Sequence, residues 1–384
     1  MSQPNQSHEQ EPALDRVRQE EAKKYARARR WLAFGDLALA GILLLLLVVS
    51  GLSQRLTGWF TLPVVPGASL YLVVLMLAYG VLSAPLSYYH GFVLPHRYGL
   101  SIQKLTGWLV DKAKAGILGL VFGAGMVAVI YWFITSFPAM WWLLSWGVAV
   151  LLSLILTNLA PVIIVPLFFK MELLSNTELR LRLEQLAQRA RVRVRGIYII
   201  ELSRKGTTAN AALMGLGNTK RIVLGDTLLQ RYSPPEIEII MAHELGHHLR
   251  NDILRLLVIR SAIWLIGFYL ADLVLKASVI PLGFNGISDL AALPLLMLIF
   301  SIISLLIAPL ANTYSRHIEV AADDYALRLT DNPKSFINTM TKLADQNLSE
   351  AQPSRWVELL IYDHPCYTKR VEHARYYAAH SRNQ

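Results

Sequence analysis

Apolar residues along this chain gather into long unbroken runs. Six stretches, 31–51, 69–89, 115–137, 140–168, 256–275 and 290–310, are almost wholly apolar, and each has the roughly 20 residues an α-helix needs to cross a hydrocarbon core. Pro161 and Pro166 in the fourth run predict a tilt, a kink or an early end. The first thirty residues lack the short apolar core and small-residue cleavage site of a signal peptide, so the first span is expected to be retained. Before Asp15 the pattern reads as a disordered tail, and 15–30 as an amphipathic helix leading into that span. The polar segment after residue 168 has a different rhythm. Leu179, Leu183 and Leu186 recur at helical spacing and predict a helix over 177–191 with these leucines in a core. The runs 195–201 (R-G-I-Y-I-I-E) and 221–224 (R-I-V-L) read as short strands, with Gly206, Gly215 and Gly217 as turns or an irregular edge between them. These glycines make no phosphate-binding loop, because its strand–loop–helix order and its lysine are absent.

Composition sharpens this into a membrane protein with polar parts. Of 384 residues, 54% are apolar and 17% charged, against about 25% charged in an average soluble domain. One cysteine, Cys366, excludes an internal disulfide framework and a cysteine-rich metal site. The net charge of +10 is distributed by topology. Of the 37 Lys and Arg, 34 fall in residues 1–30, 91–114, 169–255 and the tail from 311; Arg55 and Lys276 lie in the opposite loops and Arg260 within the fifth span. The positive-inside rule then makes both termini and the polar segments cytoplasmic. Topology accounts for the charge, and with no basic–aromatic motif in the chain no nucleic-acid partner is expected. Asp36, Arg260 and Asp272 sit inside spans, where a charge facing lipid costs about 2.5–3.5 kcal/mol, so they are expected to face the bundle interior.

The candidate chemistry lies in the polar segments. Residues 243–247 read H-E-L-G-H. On a helix His243 and His247 share a face and can both present imidazole to one zinc ion, with Glu244 within reach of its water. Ser233-Pro-Pro-Glu236 supplies a capping box for that helix. His248 is rotated about 100° from His247 and is not expected to be a ligand. Catalytic zinc takes a third protein ligand. After the last span, T-Y-S-R-H-I-E-V-A-A-D-D-Y-A places Glu319 and Asp323 four apart on one helix face. Glu319 is assigned to the metal and Asp323 to a hydrogen bond that fixes a ligand histidine's tautomer; His317 is a rival ligand. The 72 residues from His247 to Glu319 enclose a two-span hairpin, which returns the chain to the same membrane face.

These residues resemble the type I CAAX prenyl endopeptidases, integral membrane zinc metalloproteases related to the heat-shock membrane proteases. Beside H-E-L-G-H, Ser315-Arg316, Glu319 and Ala322-Asp323 match that family's S-R-x-x-E-x-x-A-D. Asn210-Ala211 with the strand 220–229, and His364-Pro365 with Arg370, match further elements. Residues 89–114 and Pro166-Leu167-Phe168 are similar to its connecting loop and catalytic-domain entry, so the resemblance runs from about 70 to 378. The chain departs in having six spans where the family has seven, Phe169 where Asp is usual, and a divergent 215–220 region. The resemblance implies that His364 is catalytic, stabilising the tetrahedral intermediate's oxygen. It also implies that Asn210 binds substrate backbone and that Arg370 supports substrate binding.

The expected architecture is a mainly α-helical polytopic membrane protein with a cytoplasmic α+β zincin-like domain. The polar tail is 1–30 and a four-span domain 31–168; the catalytic domain occupies 169–255 and 311–384, split by the hairpin 256–310. The expected function is a zinc metalloendopeptidase, with one Zn2+ per chain, Glu244 as base and a proton relay to the leaving amine. Its substrates would be proteins or peptides that are membrane-associated, lipidated (prenylated) or misfolded, and its other partner the lipid bilayer of a bacterial cell. The alternatives are a metal-binding transporter or channel and a catalytically silent chaperone-like relative. The first predicts charges paired across spans, whereas the motif lies in the polar segments; the intact Glu244 argues against the second.

Overall fold

The computed structural model describes residues 13–193, 196–215 and 221–381. Most of the tail before Asp15, the first residue of the strand expected over 195–201, Gly217 and Lys220 lie outside them. Six helices among the described residues are long and apolar enough to cross a membrane: Arg16–Val49, Val64–Arg97, Leu105–Ser136, Trp141–Phe168, Asp252–Ser278 and Leu290–Thr330. All six expected runs fall on them. The fourth loosens at Pro161 into a π-helical turn, Ala160–Ile164, where the ring's clash and missing N–H disfavour a regular α-turn. The charged stretch after Asp15 is continuous with the first span as a single helix.

The chain divides into two compact units. One comprises Arg27–Phe168 and Ile253–Thr313. Its core includes Tyr71, Tyr131, Ile134 and Trp141. The polar atoms of these rings are bonded: Tyr71 to Ser53 (2.7 Å), Tyr131 to the Asp289 carbonyl (3.2 Å) and the Trp141 indole to Asp272 (2.6 Å). Of the three charges expected to be interior, Asp272 is buried and also takes a bond from Lys276 (2.8 Å). Asp36 and Arg260 are exposed instead. Asp36 accepts a bond from the Tyr79 hydroxyl (2.7 Å).

The other unit comprises Phe169–Asp252, Tyr314–Gln384 and the stretch ending at Ala26. Its sheet has strands β1 (Met171–Leu173), β2 (Ile197–Ile200), β3 (Ala211–Met214) and β4 (Arg221–Gly225) in the order β1-β2-β4-β3. β2 and β4 run parallel; β1 and β3 are antiparallel edges. The helix Thr177–Arg189 packs on the sheet through Leu179, Leu183 and Leu186, as their spacing predicts. Burying each such leucine contributes about 1.5–3 kcal/mol.

The helix Pro234–Leu249 carries the H-E-L-G-H motif, and its Ser233–Glu236 capping box is formed. Glu236 is also held by Lys342 (2.8 Å). This motif helix meets the end of the long helix Leu293–Thr330 at Gly246, where a Cβ would lie 3.1 Å from Tyr325 Cβ and 3.3 Å from Ala322 Cα. Neither neighbour can swing aside, since one is a backbone atom and the other is fixed to it.

Two substitutions test this packing. Gly246→Val is expected to destabilise the fold by about 1–3 kcal/mol through overpacking, read as a lower melting temperature in detergent; an unchanged melt would remove the close approach as a constraint. Asp272→Ala strands the buried indole N–H of Trp141 and should cost about 1–3 kcal/mol, checked by the same melt against a Trp141→Phe background, in which the penalty should shrink.

Candidate metal centre

The site is built from four segments of one unit. The motif helix presents His243, Glu244 and His247, and the long helix presents Glu319 and Asp323 one turn apart. The loop after the helix Arg355–Ile361 supplies Asp363 and His364, and the helix Tyr367–Ser381 supplies Arg370.

The imidazoles of His243 and His247 are each fixed from behind. His243 Nδ1 lies 2.8 Å from Asp323 Oδ1, and His247 Nδ1 lies 3.2 Å from Asp252 Oδ2. A carboxylate accepts, so each Nδ1 carries the proton and each Nε2 turns a lone pair inward. Those two Nε2 atoms are 3.2 Å apart. Glu319 completes the group, with Oε2 3.2 Å from His243 Nε2 and Oε1 3.3 Å from His247 Nε2. Glu319 Oε2 is buried without a partner of good hydrogen-bond geometry.

This is a poor arrangement for hydrogen bonding and a good one for a cation. Tetrahedral coordination with metal–nitrogen bonds of about 2.0–2.1 Å separates neighbouring ligand atoms by about 3.3 Å, which is the spacing all three pairs show. His243, His247 and Glu319 therefore fit a metal ion. The electrostatics agree. Burial lowers the pKa of His243, but the carboxylates of Asp323 and Glu319 more than reverse this and lift it to about 9. The same two carboxylates would also attract a divalent cation.

The remaining predicted residues surround a cavity of about 410 Å³, which Asn210, His243, Glu244, His364 and Arg370 all line. Asn210 is exposed and precedes β3; its carbonyl accepts from Gly225 N–H at 2.8 Å. That approach requires glycine, because a Cβ on Gly225 would sit 2.9 Å from the Asn210 oxygen. His364 is half-exposed, with Nε2 3.3 Å from Glu319 Oε1 and Nδ1 2.8 Å from Asp363 Oδ1. The Asp363 hydrogen bond raises its pKa above the ordinary histidine value. Arg370 reaches the cavity wall, yet its guanidinium forks onto Asp323, with Nε 2.8 Å from Oδ2. It thus acts on the metal group through Asp323 and His243. His248 is buried beside the group without belonging to it, and His317 is likewise outside it.

Sequence reasoning missed Asp252. It opens the next helix, five residues after His247, across Asn251, whose φ of 53° turns the chain. Its nearness to the motif was the available signal, but helical periodicity does not extend past that turn.

The geometry agrees with comparisons to known proteins. A model of the CAAX prenyl protease N-terminal region, described as five membrane helices, matches residues 4–170, and a model of peptidase family M48 matches residues 173–378. Within the first stretch this chain has four candidate spans among its described residues. The chain is 33% identical over 361 residues to an uncharacterized metalloprotease, YhfN, of Bacillus subtilis, covering 92% of this chain and 84% of that protein. It is 29% identical to a probable CAAX prenyl protease 1 of Schizosaccharomyces pombe, over 76% of this chain and 62% of the relative. The crystal structure of S. mikatae Ste24p superposes with a TM-score of 0.84 at 22% identity, covering 96% of this chain and 92% of that one, so the fold is shared. The peptidase model spans every residue of the metal group, and the chain is accordingly a membrane metalloendopeptidase belonging to peptidase family M48.

Proposed function

We propose that the metal is zinc, one ion per chain held by His243, His247 and Glu319, and that the enzyme cleaves membrane-associated, lipidated or misfolded proteins on the cytoplasmic side of a bacterial membrane. The observation that carries this is the inward-facing Nε2 pair with a buried carboxylate, next to a cavity that Glu244 lines. Two nitrogens and one carboxylate form a donor set suited to catalytic zinc. Charge asymmetry supports the orientation, since 34 of 37 basic residues fall in segments on one side of the spans. The relatives named as CAAX prenyl proteases support prenylated substrates, and the B. subtilis relative supports a bacterial host.

Zinc bound here would supply Lewis acidity, polarising the scissile carbonyl and acidifying a water. The chain's own residues do the rest. Glu244 takes the proton of the attacking water and returns it to the leaving amine. His364, whose pKa the Asp363 hydrogen bond raises, donates to the oxygen of the substrate carbonyl as negative charge develops there. The backbone of β3, an antiparallel edge, pairs with an extended substrate, and Asn210 binds substrate backbone beside it. Arg370 neutralises Asp323 and so keeps His243 in the tautomer the metal requires.

Three variants test the assignment on purified protein, with metal content and cleavage of an unfolded protein and a farnesylated peptide measured together. Glu244→Gln should retain stoichiometric zinc and lose about 10²–10⁴-fold in cleavage rate. Glu319→Gln should lose the zinc as well as the activity. Asp252→Asn should bind zinc about 10–100-fold more weakly while excess zinc restores cleavage. Wild-type protein that purifies without zinc and cleaves neither substrate after zinc is added would sink the proposal.

A further inference from the structure

The open edge of β3 is closed at one position by a side chain. Asn210 and Ala212 turn their backbone groups toward β4, as the Gly225 N–H to Asn210 bond and the Ala212↔Val223 register require. In an antiparallel ladder the alternate residues turn both groups away, so Ala209 and Ala211 address the open side. At Ala209 that side is filled. Asn347 Oδ1 accepts from the Ala209 N–H at 2.9 Å, and Asn347 Nδ2 donates to the Ala209 carbonyl at 3.1 Å. These are the two hydrogen bonds that one residue of an added strand would make. Ala209, Ala211 and Asn347 all line the cavity that holds His243 and Glu244.

We propose that Asn347 is a specificity-determining stop on the substrate edge. Its amide stands in for one substrate residue, so a bound peptide pairs with Ala211 and cannot continue along the edge past Ala209. The enzyme then tolerates only a limited number of residues on one side of the scissile bond. The side chain is held tightly enough to do this. Asn347 ends the helix Pro333–Gln346, and Leu348 turns the chain at a φ of 47° while buried. Gln346 Nε2 donates to the Thr207 carbonyl at 2.7 Å, two residues from Ala209. On the far side the N-terminal helix clamps the loop: Gln19 Nε2 donates to Asp345 Oδ1 at 3.2 Å, and its Oε1 accepts from Ala351 N–H at 3.1 Å. A side chain fixed from both directions can keep an amide matched to a backbone.

The inference rests on the reading that substrate adds to the β3 edge, and the two are separable. Peptides with one cleavable bond, lengthened a residue at a time on either side, are assayed with the zinc-loaded full-length enzyme in detergent. In the wild type, kcat/KM should fall at least about tenfold beyond one length on one side only, the equivalent of losing about one net hydrogen bond. In Asn347→Ala and Asn347→Ser the ratio of long to short substrate efficiency should rise to near one, through KM. Loss of overall stability cannot mimic a change in that ratio. Absence of a length limit in the wild type, or the same limit in both variants, overturns the stop. Substrates N-methylated at successive amides test the edge itself. An alternating loss of cleavage supports strand addition, and a uniform response overturns that reading along with the stop.

Discussion

Two imidazole nitrogens 3.2 Å apart, both with lone pairs turned inward, are the constraint around which the polar unit is organised. Such an arrangement repels itself unless its surroundings hold it. The holding is distributed over separate elements. Asp323 on the long helix and Asp252 at the start of the following helix each fix one Nδ1–H. Arg370, from the C-terminal helix, neutralises Asp323, without which a buried carboxylate would carry a full desolvation penalty. Gly246 sets how closely the motif helix approaches the long helix, and therefore whether Glu319 can stand 3.2–3.3 Å from both nitrogens. The metal group is a consequence of helix packing as much as of its ligands.

What the sequence discloses follows from which physical regularities are local. The spans were legible because about 20 apolar residues in a row have one stable use. His243 with His247, and Glu319 with Asp323, were legible because a four-residue interval on a helix is also a distance in space. Asp252 was hidden by the left-handed residue between it and the motif helix, which breaks that correspondence. Only the resemblance pointed to Arg370, and for substrate binding; its bond to Asp323 crosses 47 positions, and such a pairing has no local pattern. Strand β1, three residues long, escaped for a related reason, and the edge strand beside Asn210, β3, was expected only from the family resemblance. Runs of three or four residues, with alanines leading β3, carry too little alternation to announce a strand by pattern alone.

The intramembrane charges show the same limit from another direction. Cost alone argued that Asp36, Arg260 and Asp272 should all be interior. Only Asp272 is buried, and it is the one with two strong donors, an indole and an ammonium. A buried carboxylate is stable only with such partners, and a sequence does not show whether donors converge. Asp36 has a tyrosine hydroxyl for company and stays exposed. Donor supply, rather than position along a span, separates the two aspartates.

The edge strand connects structure to selectivity. An open edge will pair with almost any extended chain, which makes it a liability in most proteins and a recognition surface in a protease. In this chain Ala209, Ala211 and Ala212 border that edge, with side chains too small to screen the backbone or to select by shape. Recognition along it would draw on main-chain hydrogen bonds, which every peptide offers equally. A protease built this way tolerates varied sequences, as one acting on misfolded or lipidated proteins must, and needs some other way to limit where it cuts. Fixing the end of the pairing register provides that limit without reading any substrate side chain.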